Sequence, residues 1–292
     1  MHGVVVGCGQ ITWDNKCTED QILREIARAG YEGVPAGPQN DRTAAATVEM
    51  YGRHGLRPAP GYFSAEFWRE DRRDEILRAA TQQARYTREL GCTELYVAAR
   101  GFDYMTRGGK ARRELAGQVR AEDGLADAEW DQLTSTLNAV AAITLDHGVR
   151  SCFHNHVGTV IETHAEMDRL LSFTDPDLLF LGPDTGHLAW AGADVLAFYR
   201  EYASRIRTMH LKDVHDSVVT DGRDDSWDYG MFTGNGVFAE LGEGCVDFPA
   251  LFGVMEEAGF TGWVIAETDV TQKATALESA TVSRRYLQSI GV

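Results

Sequence analysis

The chain has 292 residues, 43% apolar and 25% charged, with only seven prolines; this is the profile of a folded globular protein, not a disordered or fibrous one. A formal charge of −16 and a pI near 4.9 exclude a phosphate-tracking surface, because nucleic-acid affinity rests on clustered Lys and Arg. No apolar stretch approaches the roughly 18 residues that span a bilayer, and the opening Met1-His2-Gly3-Val4-Val5-Val6 lacks a signal peptide's cationic region, so a cytoplasmic protein without a membrane partner is expected.

Short β-branched or apolar runs alternate with longer segments of helical period, the mark of repeated βα units. A first strand at 3–8 is followed by a helix over 18–29, with Thr18 as its N-cap and Gly30 just past its end. Residues 31–34 read as a second strand, 41–54 as its helix, and 56–59 as a third strand held by two prolines. The helix at 74–90 has Ile76, Leu77, Ala80, Ala84 and Leu90 near one face, and 94–98 is the fourth strand. A polar segment over about 100–126 precedes a helix at 127–147; it is long for a βα loop and reads as a binding loop or lid. Its basic run from Arg107 to Arg113 reads as a solvated loop or helix start, with a substrate or subunit contact as the alternative.

Strands at 150–154, 178–181, 206–210 and 263–267 complete the set, with helices at 165–171, 193–202, 248–258 and 276–289. The Asp- and Gly-rich segment 214–240 is placed as a second cover over the barrel mouth. Eight βα units in one chain, with no linker to divide residues 1–292 and no G-x-G-x-x-G after the first strand, predict a single (β/α)₈ barrel and not an open dinucleotide-binding sheet. The five cysteines include no C-x-x-C pair, so neither a disulfide framework nor a zinc knuckle is expected; Cys8 and Cys152 read as buried, inert thiols.

Four strands in the second half end in potential metal ligands: His154-Asn155-His156, Asp184, His210 and Glu267. A parallel barrel converges these ends on one face, and nitrogen with carboxylate oxygen suits a divalent first-row metal. His154 and His156 alternate in a strand, so both reach one side; a hydrogen-bonded core pair is the alternative. Asp184 before Thr185-Gly186 suits either a metal ligand or a helix cap. Lys212 suits either a proton donor that polarises a ketone or an ion-pair partner of the adjacent Asp213, itself a candidate substrate contact. Glu267 can bind metal and act as a base, and His187 can be a further ligand or orient one. Trp13 and Asn15 after the first strand are candidate substrate contacts; Trp13 would stack on a sugar or cyclitol face or simply pack.

These segments resemble the inosose dehydratase family within the xylose-isomerase-like barrels. The resemblance runs from Ile11-Thr12-Trp13-Asp14-Asn15 and Arg28-Ala29-Gly30-Tyr31-Glu32-Gly33 to Ser283-Arg284-Arg285-Tyr286-Leu287. Its most specific parts are His154-Asn155-His156-Val157-Gly158-Thr159, Asp184-Thr185-Gly186-His187-Leu188, His210-Leu211-Lys212-Asp213-Val214 and Gly242-Glu243-Gly244-Cys245-Val246-Asp247-Phe248. The resemblance implies a divalent metal, manganese or cobalt, held by His154, Asp184, His210 and Glu267. It also implies dehydration of 2-keto-myo-inositol to a cyclic diketone. Many relatives that isomerise or epimerise ketoses carry glutamate where His154 stands, so this histidine favours the dehydratase branch. Gly33-Val34-Pro35-Ala36-Gly37 replaces an acidic residue common in relatives, removing one expected substrate contact.

In the expected chemistry a base, Glu267, His156 or His187, removes the proton α to a ketone. Lys212 or a protonated histidine then donates to the departing β-hydroxyl. Reprotonation of the same enediolate gives isomerisation or epimerisation instead, and a 3-keto glycoside could undergo the same β-elimination. The partner is a small polyol or keto-sugar, and the two long polar loops leave room for a homodimer that covers the site. A barrel that only binds a sugar, or an endonuclease of the same fold class, is disfavoured by the intact ligand positions and by the acidic charge respectively.

Overall fold

The structure, a computed structural model, describes residues 2–13 and 16–292. Its strands are β1 (Val4–Cys8), β2 (Gly33–Pro35), β3 (Arg57–Ala59), β4 (Tyr62–Ala65), β5 (Glu94–Ala99), β6 (Arg150–Phe153), β7 (Leu179–Leu181), β8 (Met209–Leu211), β9 (Asp213–Val214), β10 (Phe238–Ala239) and β11 (Gly262–Ala266). The helices are α1 (Glu19–Ala29), α2 (Ala44–Gly52), α3 (Arg73–Glu89), α4 (Asp127–Asp146), α5 (His164–Ser172), α6 (Thr185–Trp190), α7 (Val195–Tyr202), α8 (Asp216–Asp224), α9 (Tyr229–Gly234), α10 (Phe248–Glu257) and α11 (Ala276–Ser289).

Two parallel runs, β3-β2-β1-β11-β8 and β4-β5-β6-β7, form the wall. They join at two seams. At the first, β3 and β4 are halves of one stave, interrupted at Pro60-Gly61. Proline has no N–H for the ladder, and a side chain at Gly61 would meet the Ala36 carbonyl at 2.1 Å. The chain therefore kinks, leaves β2 and pairs with β5, which explains why the third strand, predicted at 56–59, continues to residue 65. At the second seam single bridges, Leu181 with Ile206 and Asp184 with His210, join β7 to β8. The result is the (β/α)₈ barrel that the βα alternation predicts.

The local signals act as expected at α1: the Thr18 hydroxyl accepts from the Gln21 N–H at 3.2 Å, and Gly30 ends the helix at φ 95°. Inside the barrel, Tyr96, Ile265 and Ala59 pack with Trp263 as a cluster separate from the main core between strands and helices. The Tyr96 hydroxyl bonds to Thr208, which satisfies the one polar atom of this apolar floor.

The two long segments are built, not loose. In residues 100–126, Arg112 is fully buried and makes a bidentate pair with Glu166 at 2.8 and 3.0 Å. This corrects the reading of 107–113 as a solvated run: one of its arginines anchors the loop to α5. Segment 214–240 folds into α8, α9 and the β9–β10 hairpin. The two covers are tied together by Gln118 Nε2 donating to the Trp227 carbonyl at 2.9 Å and Arg223 Nε donating to the Gly117 carbonyl at 3.0 Å. No disulfide joins two cysteines among the described residues; Cys8, Cys92 and Cys152 are buried and Cys245 is exposed. No helix among the described residues is long and apolar enough to cross a membrane.

Candidate metal and active site

The parallel staves deliver His154 after β6, Asp184 after β7, His210 on β8 and Glu267 after β11 to one end of the barrel. Ligand atoms of His154, Asp184 and His210 lie within 4.8 Å of one another, and Glu267 Oε2 is 3.3 Å from His210 Nδ1. Asp184 combines the two roles its sequence left open. Its Oδ1 accepts from the His187 N–H at 2.9 Å and caps α6, while Oδ2 faces His210 at 3.9 Å and Lys212 at 3.4 Å. Asn155, between the two histidines, fixes this carboxylate by bonding the Asp184 backbone N–H at 2.9 Å and carbonyl at 3.4 Å. Gly9 makes room for Glu267, since a methyl there would stand 2.0 Å from Oε1.

The donor set fits a divalent cation on the structure's own terms. His154 Nδ1, Asp184 Oδ2 and the ring nitrogens of His210 are buried without a hydrogen bond among the described residues. Asp184 Oδ2 has Lys212 Nζ at 3.4 Å and His210 Nδ1 has Glu267 Oε2 at 3.3 Å as charged neighbours, and a cation held by His154, Asp184 and one His210 nitrogen would satisfy groups that are costly to leave unpaired. Burial holds His154 well below the usual histidine range, with His210 and Lys212 adding to the effect, so its ring is neutral and able to donate a lone pair. Burial pushes Asp184 up to about 6, although Lys212 and His210 pull it back. Lys212 Nζ lies 3.4 Å from Asp184, 3.2 Å from Glu267 and 2.8 Å from Asp269. One ammonium against three carboxylates leaves an excess of two negative charges, which a divalent ion would balance.

His156, His187 and Asp269 form a second group within 4.8 Å. Lys212 Nζ is 3.3 Å from His187 Nε2 and already places a cation in this group, which therefore reads as a proton-handling set. Burial disfavours the charged lysine, but Asp269, Asp184 and Glu267 outweigh it and hold the ammonium well above its ordinary range. Burial lowers His156 to about 3 and His187 well below normal, with Lys212 contributing to both. His156 Nδ1 is 2.7 Å from the Val157 carbonyl; that acceptor requires a proton on Nδ1 and leaves the lone pair on Nε2.

His154, His156, His210, Lys212, Glu267 and Asp269 line a cavity of about 310 Å³ together with Ile11, Tyr62, Tyr96 and Phe102. Its wall residues His156 and Phe102 are backed by further aromatic rings: the His156 and His187 rings are 3.8 Å apart, and Tyr229 lies against Phe102 at 5.0 Å and Trp190 at 5.1 Å. Behind this wall the buried Glu162 accepts from the Gly117 N–H at 2.7 Å and the Gly158 N–H at 2.6 Å, pinning one loop from each side. Both glycines have positive φ, 72° and 83°, and side chains there would strike Trp190 and Phe102.

Two predicted contacts, Asp213 and Trp13, are placed differently. The Asp213 carboxylate accepts four backbone N–H groups, from Val214, Gly242, Gly244 and Val246, each at 3.0 Å; its acceptor capacity is spent on the loop, so it pairs with neither Lys212 nor a substrate. Trp13 is buried in the main core and donates to Glu25 at 2.7 Å, so packing is its role and it does not line the cavity. Asn15 lies outside the described residues. Asp269 was missed by sequence reasoning, and the available signal was its spacing of two from Glu267, which places both on one side of an extended segment.

A family model described as the xylose isomerase-like TIM barrel matches residues 23–289. An inosose dehydratase of Geobacillus kaustophilus is 31% identical over 272 residues, covering 90% of this chain and 87% of the relative. The fold is shared with the probable 3-DHS dehydratase of Bacillus anthracis, at a TM-score of 0.72, 13% identity and coverage of 97% and 98% of the two chains. It is shared also with the IOLI protein with a binding zinc atom, at a TM-score of 0.69, 16% identity and coverage of 98% and 97%. The chain belongs to the xylose isomerase-like TIM barrel family and, within it, to the inosose dehydratase family.

Proposed function

We propose that the protein is a metal-dependent dehydratase, a carbon–oxygen lyase, acting on a keto-cyclitol of the 2-keto-myo-inositol type. The observation that carries this reading is the buried cluster of His154, Asp184 and His210, whose ligand atoms converge within 4.8 Å beside Glu267, lying next to a buried lysine in a cavity sized for one sugar-like ring. Its relatives include proteins named inosose dehydratase, and a structural neighbour is described with bound zinc. Mixed imidazole and carboxylate ligands suit a divalent first-row metal, and the family resemblance implies manganese or cobalt.

His154, Asp184, His210 and Glu267 would hold the ion, which when bound polarises the substrate ketone and acidifies the neighbouring C–H. His156 is the base in this reading because its Nε2 lone pair is free, whereas His187 Nε2 faces Lys212 and Glu267 is engaged by His210 and Lys212. Lys212, kept protonated by three carboxylates, donates to the departing β-hydroxyl. Asp269 holds that ammonium in place. The apolar walls exclude water from the carbanionic stage.

The test is an ultraviolet and NMR assay with 2-keto-myo-inositol on metal-stripped protein, with and without manganese. Manganese-dependent diketone absorbance that disappears in His210→Ala is the expected result. Deuterium uptake from D₂O without loss of water would instead assign an isomerase or epimerase. We read residues 1–292 as one domain acting as a homodimer, and sedimentation velocity that shows only monomer at working concentration removes the dimer.

A further inference from the structure

We propose that the active-site cavity continues into an outer compartment that takes an anionic substituent of the substrate, and that Arg100 determines this specificity. The inference rests on the keto-cyclitol or keto-sugar reading of the inner site. It deepens that reading by naming the substrate class: a polyhydroxylated ring bearing a carboxylate or phosphate.

The inner cavity shares Ser64, Arg100 and Phe102 with an open groove of about 700 Å³ that runs along Trp68, Arg69 and Tyr104. A ring seated against the inner ligands would therefore direct a substituent past Arg100 into that groove. The charges at the two ends oppose each other. At the inner end, Asp184, Glu267 and Asp269 face the single ammonium of Lys212. An anionic substituent pointing inward would compete with the same carboxylates for positive charge, so the favoured orientation points it outward.

Within the groove the other ions already have partners. Arg69 forks onto Asp71 at 2.9 and 2.6 Å and also faces the groove's Glu66 at 3.9 Å, Arg72 meets Glu75 at 2.8 Å, and Asp103 meets Arg113 at 2.9 Å. Arg100 differs. Its Nε donates to the Ser64 hydroxyl at 3.2 Å, and no carboxylate among the described residues forms an ion pair with it. Its two terminal nitrogens remain available for the parallel hydrogen bonds that a guanidinium makes with carboxylate or phosphate.

The backbone of Arg100 is fixed, which limits the entropy lost on binding. It directly follows β5, donates its N–H to the Ala65 carbonyl at 2.9 Å, and accepts from the Val160 N–H at 3.3 Å. Trp68 and Tyr104 pack edge to face at 5.9 Å alongside, an amphipathic wall for the aliphatic part of the substituent. The side chain of Arg100 is exposed, so solvent screening keeps the expected preference to about tenfold.

Binding can be measured without turnover, by titration calorimetry of the whole manganese-loaded protein with myo-inositol, D-glucuronate and myo-inositol 1-phosphate. At least one anionic ligand should bind about tenfold more tightly than myo-inositol. In Arg100→Ala that gap should shrink to within twofold, while Arg100→Lys keeps part of it and 0.5 M salt narrows it. Which anion binds tighter distinguishes carboxylate from phosphate. Equal binding of neutral and anionic ligands, no measurable anion binding at millimolar concentration, or an undiminished gap in Arg100→Ala would each overturn the proposal. The last result would mean that the anion binds the metal centre instead. If Arg100→Ala does not fold, Arg100→Gln serves the same comparison. Failure of the keto-inositol assay with the gap intact would remove the functional reading and leave the outer compartment standing.

Discussion

Gly9→Ala should separate function from stability in this site. An alanine methyl would lie 2.0 Å from Glu267 Oε1, 2.3 Å from its Cγ and 2.5 Å from its Cδ, whereas non-bonded carbon atoms rest about 3.5–4 Å apart. Gly9 is not in the left-handed region, so its backbone accepts alanine and the overlap must be relieved by the Glu267 side chain. That side chain is held by pairs of 3.3 Å to His210 and 3.2 Å to Lys212, and relief moves its carboxylate by about an ångström or more out of the ligand set. The folding cost should stay near the low end of the range for overpacking, about 1–3 kcal/mol. A shift of about 1 Å in a catalytic group can cost on the order of 100-fold in rate, and metal affinity should fall by about 10- to 100-fold. Manganese calorimetry and kcat/KM measure the functional loss, and thermal melts in chelator measure the folding cost. A variant with metal affinity and kcat/KM both within about threefold of the parent would refute the role given to Glu267.

Manganese should raise the melting temperature of the parent protein, because a ligand that binds only the folded state stabilises it; the rise should vanish in His210→Ala, and its persistence there would move the ion elsewhere. Glu162→Ala should destabilise by about 2–4 kcal/mol, since it strands the buried N–H groups of Gly117 and Gly158, and denaturant unfolding below about 1 kcal/mol of loss would contradict the bolt. Burial raises the Glu162 carboxyl from 4.5 to about 7. A raised acid keeps its proton longer when folded, so its stabilising contribution, complete below pH 4.5, is lost as pH rises to 7, by about 3 kcal/mol. The stability difference between parent and Glu162→Gln should therefore decline across that window, and a flat difference would refute the shift. In thiol titration of the native protein Cys245 should react well before Cys8, Cys92 and Cys152, whose burial raises their thiols, Cys92 to about 12; early labelling of Cys152 would show an opening in the strand wall.

Features governed by neighbours within a few residues could be read directly. Thr18 and Gly30 bound α1 because a cap is a contact across three or four residues. The apolar runs ending in His154, Asp184, His210 and Glu267 mark staves because strand burial sets composition locally. Features that depend on distant partners could not be read in the same way. Arg112 looks like one more surface arginine until Glu166 on α5 meets it, and Asp213 looks available until the 242–246 loop spends its oxygens. The break at Pro60-Gly61 carried a local signal, but the change of partner from β2 to β5 did not.

The sequence by itself determined the βα alternation, the barrel and the histidines and carboxylates at the strand ends, because periodicity, turn residues and caps act through short-range contacts that composition records. Only the tertiary structure decided that Lys212 stands among three carboxylates, that Asp269 lines the cavity, and that Arg100 lines its mouth without an ion-pair partner among the described residues. These depend on which strand ends come within a few ångströms after the barrel closes, and electrostatic and steric terms at that range follow distance in space, not separation along the chain.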